Sequence, residues 1–180
     1  MRKGLKLLFV ALIILFAAVI VISGEQAVAG IFSGETSLKS INNDSQITLP
    51  KGWKEHKDLN DAADLQAAYL RKELYIIVLS ESKEDFEKMT IEKHSDLTRG
   101  GIVESLTSSE EKRLPDVKIN GNPAIQYEIS GVIGNVKITY IHTTVETKEN
   151  YHQILAWTLK SRYKKNKPEL QKVIQSFKEI

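Results

Sequence analysis

The side chains that could do chemistry are present in this chain, but their spacing does not gather them. There are four histidines, His56, His94, His142 and His152, and no cysteine. A metal site needs two or three converging ligands. His142 and His152 fall on strands whose turn-defined register puts them on opposite faces, so they do not converge. His142 shares the face of Tyr127 and Trp157. There it is expected to be a partly buried histidine, bonded to a tyrosine or threonine hydroxyl and able to titrate near neutral pH. Asp58, Asp61 and Asp64, with Asn60 between, form the local acidic cluster. Their spacing of three lacks the alternating ligands and central glycine of a calcium loop, and predicts a solvated loop. Nucleophilic catalysis needs a serine or threonine beside a base held by a third group. No serine stands in a Gly-x-Ser-x-Gly elbow, and no Ser-x-x-Lys lies where a helix would present it. The chain reads as non-enzymatic, with no metal and no cofactor expected.

One charged run carries a candidate role. Lys160, Arg162, Lys164, Lys165 and Lys167, with Tyr163 inside, join the last strand to the last helix. They are candidates for contact with anionic lipid headgroups or wall polymers; the alternative is a solvated connector. The chain has 25 basic and 23 acidic side chains, a net charge of +2. That excess belongs to residues 1–29, which hold Arg2, Lys3 and Lys6 against Glu25 alone. The remainder is neutral with interspersed charge, so nucleic acid is not expected as a partner.

The positioning elements begin after an apolar segment. Leu7 to Gly24 runs eighteen residues without a charge behind the basic start. As a helix it would span about 27 Å, close to the ~30 Å hydrocarbon layer of a bilayer. Ala27-Val28-Ala29 offers a signal-peptidase pattern. Residues 1–29 are therefore expected to be a signal anchor, with residues 7–24 in the membrane, or a signal peptide cleaved after Ala29 and a secreted product. Length favours the single-pass anchor, and in both cases residues 30–180 would lie outside the cytoplasm. Without cysteine there is no disulfide and no acylated lipobox. Residues 30–45, rich in Gly, Ser, Asn and charge, read as a flexible linker, and Asn43-Asp44-Ser45 matches a glycosylation sequon. Residues 46–180 are of single-domain size.

Within that domain Gln46 to Leu49 is a short strand stopped by Pro50-Lys51-Gly52. Leu65 to Leu70 and Leu74 to Ser80 form a hairpin around Arg71-Lys72-Glu73, the second strand buried on both faces. Thr90 caps a helix whose Ile91, Thr98, Ile102 and Leu106 share one face. Asn120-Gly121 is a tight turn. A turn at Gly134-Asn135 sets Ile133 opposite Val136, Ile129 opposite Tyr140 and Tyr127 opposite His142. A second turn at Glu149-Asn150 sets His142 opposite Trp157 and Tyr140 opposite Leu159, which places all of them on one face. Asn166 and Glu169 have capping-box spacing with Pro168 in the first turn. Leu170, Val173, Ile174 and Phe177 then make a core-facing stripe. The fold class is α+β, an antiparallel sheet of about six or seven strands with helices packed on it.

Leu49-Pro50-Lys51-Gly52-Trp53, the strand Tyr75 to Leu79 leading into Ser82 to Thr90, Ile119-Asn120-Gly121-Asn122-Pro123-Ala124, Ala156-Trp157 and the closing Val173-Ile174-Gln175-Ser176-Phe177-Lys178 occur in an informative order. Together they resemble the PsbP/Mog superfamily, most closely its bacterial PsbP-like or DcrB-like exported members, over about residues 46–178. The resemblance implies an α/β/α sandwich that acts as a binding or assembly factor, with an unknown protein or small ligand as partner. The alternative is an envelope assembly or structural factor contacting lipid or cell-wall polymer. No functional residue of the superfamily maps onto a motif here.

Overall fold

The computed structural model describes residues 34–180. In chain order these form β1 (Thr36–Lys39), β2 (Ser45–Leu49), β3 (Lys54–Glu55), β4 (Leu65–Tyr69), β5 (Leu74–Ser82), α1 (Ile91–Ser105), β6 (Thr107–Arg113), β7 (Val117–Ile119), β8 (Asn122–Ile133), β9 (Val136–Glu146), β10 (Asn150–Leu159), α2 (Tyr163–Gln175) and β11 (Lys178–Glu179). Eight strands make the main antiparallel sheet in the order β3-β4-β5-β10-β9-β8-β6, with β7 also paired to β8. β1, β2 and β11 make a separate three-stranded sheet.

The two helices cover opposite faces of the main sheet, because alternate residues of each central strand point opposite ways. On one face Leu170, Val173, Ile174 and Phe177 of the α2 end pack on Ile76, Val78, Ile141, Val145, Ile154 and Ala156. On the other, Ile102 of α1 and Leu106 pack on Ile77, Ile129, Tyr140, Leu155 and Trp157. The helix stripes read from spacing are thus the faces that are buried. Thr90 caps α1 by accepting from the Lys93 N–H at 3.3 Å.

The first hairpin has the predicted register, with Ile133 opposite Val136, Ile129 opposite Tyr140 and Tyr127 opposite His142. The second differs by two residues. Tyr140 faces Trp157 and His142 faces Leu155, because Thr147 and Asn150 close the turn, the Thr147 N–H donating to the Asn150 carbonyl at 2.9 Å. A shift of two keeps every side chain on its face, whereas a shift of one would have inverted the strand.

Three other expectations are corrected. Residues 36–39, read as linker, form β1, and the sequon serine, Ser45, begins β2 fully buried. The start of α2 lies three residues before Asn166, so no capping box forms there. Asn166 is buried instead, its amide donating to the Lys72 carbonyl at 3.1 Å and to Thr158 Oγ1 at 3.0 Å. Finally, the single-pass membrane placement is not supported: among the described residues no helix is long and apolar enough to cross a membrane. The segment 7–24 on which it rested, and the cleavage pattern at Ala29, lie outside the described residues.

Candidate functional site

A groove opens beside the small sheet, between two loops pinned by their own polar side chains. The 40–44 turn is held by Ser40, whose Oγ donates to Asp44 Oδ1 at 2.6 Å and accepts from the Asp44 and Ser45 amides at 3.1 Å each. The Ile41 N–H donates to the Asp64 carbonyl at 2.9 Å. On the facing wall Gln66 Oε1 accepts from the Leu59 and Asn60 amides, and its Nε2 donates to the Asn60 carbonyl. The groove between them has a volume of about 520 Å³, with Lys39, Ile41, Glu55, Lys57, Asp61 and Asp64 in its walls. Ile41 is 78% exposed at the rim. An apolar side chain on so fixed a turn has lost most of its backbone freedom before anything binds.

Behind Asp64 a row of polar groups runs into the core. The Ser80 N–H donates to Asp64 Oδ2 at 2.6 Å, and Ser80 Oγ lies 2.9 Å from His152 Nδ1. His152 Nε2 lies 3.3 Å from Glu179 Oε1, which also accepts from Asn150 Nδ2 at 2.7 Å and Thr147 Oγ1 at 3.0 Å. Burial lowers the His152 imidazole below its ordinary value, with Glu179 partly opposing the shift. Burial raises the Asp64 carboxyl in spite of its bonds from Ser80. Burial also acts to raise Glu179, but the bonds from Asn150 and Thr147 and the nearby His152 leave it below the usual range. Serine, histidine and carboxylate are the types of a nucleophilic triad. Here the carboxylate nearest the serine, Asp64, is bonded to the Ser80 N–H, and His152 is sealed at 1% exposure against Phe177. The row is a clamp that joins β5, β10 and β11 behind the groove. Its members come from four separate stretches of chain, so no local motif announced it. The one available signal was that His152 sits on the α2 face of β10.

No family profile and no curated protein matches the chain. Solved structures are similar in fold. CyanoP, the cyanobacterial PsbP of Synechocystis sp. PCC 6803, has a TM-score of 0.59 at 13% identity, over 87% of this chain and 98% of that one. The Ran-binding protein Mog1p of Saccharomyces cerevisiae gives 0.56 at 10% identity, over 82% and 96%. The fold is PsbP/Mog-like. LpqN of Mycobacterium tuberculosis, involved in cell envelope biogenesis, shares it at a TM-score of 0.59 and 12% identity, over 80% and 89%. In this PsbP/Mog-like fold the turn Pro50–Trp53 ties elements together. Gly52, at φ +97°, is the position where a Cβ would stand 2.5 Å from the Tyr69 ring. Trp53 Nε1 donates to Glu169 Oε1 at 3.0 Å, tying the opening turn to α2.

The remaining candidates separate. His142 is fully buried, and its Nε2 lies 2.9 Å from Thr98 Oγ1. The threonine partner is of the expected kind, but titration near neutral pH is not. Burial, with the nearby His94 and Arg99, lowers the imidazole to about 3. His152 is on the opposite face, and His94 bonds Glu81 Oε2 at 2.7 Å. Asp58 and Asp61 are exposed while Asp64 turns to Ser80. Among the described residues no group of three His, Asp or Glu is placed to hold a metal. The basic run is not uniform. Lys160 pairs with Glu110 at 3.5 Å and Lys167 pairs with Glu128, while Arg162, Lys164 and Lys165 are exposed and, among the described residues, unpaired. No acidic residue occupies the first turn of α2, so these cations stand at the positive end of a helix dipole and reinforce it.

Proposed function

We propose that this is a non-enzymatic binding domain that receives a segment of a protein partner in the groove between residues 38–43 and 55–66. The observation that carries the reading is Ile41, largely exposed on a turn fixed by Ser40, Asp44 and Asp64 at the rim of the groove. Lysines and carboxylates alternate in the walls, so the fitting segment has an apolar residue with charges of both signs beside it. Mog1p, of similar fold, is a Ran-binding protein, which supports a protein as the partner. A photo-crosslinking residue at position 41, in cells making the protein, is expected to give a discrete protein adduct. The same residue at Lys148, on the β9–β10 turn, should give none. Ile41→Asp in a chain crosslinked from position 57 should abolish the adduct. Equal labelling from positions 41 and 148, or an adduct indifferent to Ile41→Asp, would falsify the reading.

A second reading rests on the three unpaired cations Arg162, Lys164 and Lys165 beside the α2 N-terminus. It is contact with anionic lipid or wall polymer, in keeping with an envelope role such as that of LpqN. Residues 34–180 should then sediment with vesicles containing anionic lipid and not with neutral ones, and Lys164→Glu/Lys165→Glu should release them. Sedimentation with both vesicle types alike removes the idea.

A further inference from the structure

The apolar anchors of α1 lie toward its ends. Ile91 packs with Ile125 and Tyr151, while Ile102 and, just past the helix, Leu106 pack with Ile129, Leu155 and Trp157. Between them the buried residues are His94, Ser95 and Thr98. The sheet beneath is polar as well. His142 and Thr144 follow each other on one face of β9, and Gln153 of β10 is directly opposite Thr144. The His94 ring stacks on Tyr151, 4.8 Å between centroids, and Thr98 Oγ1 reaches His142. One turn of α1 therefore spans the Gln153–Thr144 pair from the Tyr151 side to the His142 side.

Five buried polar atoms in this seam have no hydrogen-bond partner: His94 Nδ1, Ser95 Oγ, His142 Nδ1, Thr144 Oγ1 and Gln153 Nε2. Buried polar groups left without a protein partner are rare, and they mark places where something else supplies the bond. Isolated orphans would each need a separate cause, but five on one patch share one. The set mixes a pure donor, two hydroxyls and two ring nitrogens, so its ligand must both donate and accept. A neutral ligand fits, since Glu81 is engaged by His94 and Arg99 directs both terminal nitrogens to Asp96 and Glu111, leaving only its own buried Nε without a partner. With both ends of α1 clamped on apolar side chains, it must be small.

We propose that the seam between α1 and the sheet is an internal binding site for ordered water. About two molecules would satisfy it at roughly three hydrogen bonds each. This water, together with the His94–Tyr151 stack and the Thr98–His142 bond, seats the middle of α1. The test uses the full chain. Rotating-frame NMR is expected to show water cross-peaks to amides of residues 94–98, 143–145 and 152–154, and a high-resolution crystal structure should show the matching density. Cross-peaks confined to neighbours of the Ser95, Thr98 and Thr144 hydroxyls, with no water density, would be exchange relay and overturn the proposal. Density showing the five atoms paired with one another would overturn it too. Thr144→Val, nearly the same shape, should lose the cross-peaks around Thr144 and speed hydrogen exchange in α1 several-fold. Loss of water with unchanged exchange would refute the seating role. If that variant fails to fold, the measurements on the unaltered chain still decide the site.

Discussion

His142 shows what a single side chain contributes and what its sequence position conceals. Its imidazole is held at about 3 in the fold, against about 6.5 in an unfolded chain. Below pH 6.5 the unfolded state takes up a proton that the folded state refuses, so stability falls as pH falls from about 6.5 to 3. Between pH 7 and pH 5 this residue alone should remove about 2 kcal/mol. Urea unfolding at the two pH values is expected to show that loss, and His142→Gln should flatten the dependence by about that amount. An unchanged slope would mean that the ring charges inside the fold. The kind of partner was readable from the hairpin register, which put His142 on a covered face opposite Tyr127. The depth of burial was not, because it depends on Thr98 arriving from a helix forty-four residues earlier. Gly52→Ala is the sharpest backbone test. A left-handed φ and a Cβ 2.5 Å from the Tyr69 ring predict destabilisation of about 1–3 kcal/mol, read from the same unfolding curves.

At the scale of elements, α2 is the most legible part of the chain. The stripe Leu170, Val173, Ile174 and Phe177 is buried to 1% exposure or less, and Leu170→Ala should cost about 2–5 kcal/mol in unfolding free energy. Its start was misread because Asn166 and Glu169 imitate a cap. Both are used in tertiary contacts instead, Asn166 to Thr158 and Glu169 to Trp53 and Lys72. β1 and β11 were not legible at all. Four and two residues long, they are too short to show a period and exist only because β2 stands between them. Gly131 marks the close approach of α1 to β8, where a Cβ would lie 2.8 Å from the Leu106 Cβ. Gly131→Ala should therefore lift the C-terminal end of α1, seen as faster hydrogen exchange at residues 102–106 with little change in α2. Uniform exchange across both helices would argue against that local contact.

For the whole molecule, the packing of helices on a sheet was legible and the groove was not. Periods of 2 and 3.6 residues set which faces are buried and so call for helices packed on one sheet; that the helices lie on both sides of it was implied only by the resemblance. The groove depends on loops, and the Asp64–Ser80–His152–Glu179 row on residues of β5, β10 and β11 with the loop residue Asp64, that are far apart in the chain. Apart from the strand position of His152, their residues carry no spacing signal. The small sheet that borders the groove also joins the two ends of the described chain. β2 lies between β1, near residue 34, and β11, and the Ile180 N–H donates to the Asp44 carbonyl at 2.8 Å. Such a chain should tolerate circular permutation. Residue 180 joined to residue 34 by about eight flexible residues, enough reach at up to ~3.5 Å each, and reopened at Gly134-Asn135, should give a cooperatively unfolding protein that keeps the groove. The permutant would place its new ends on the far side of the fold, leaving that surface free for immobilisation.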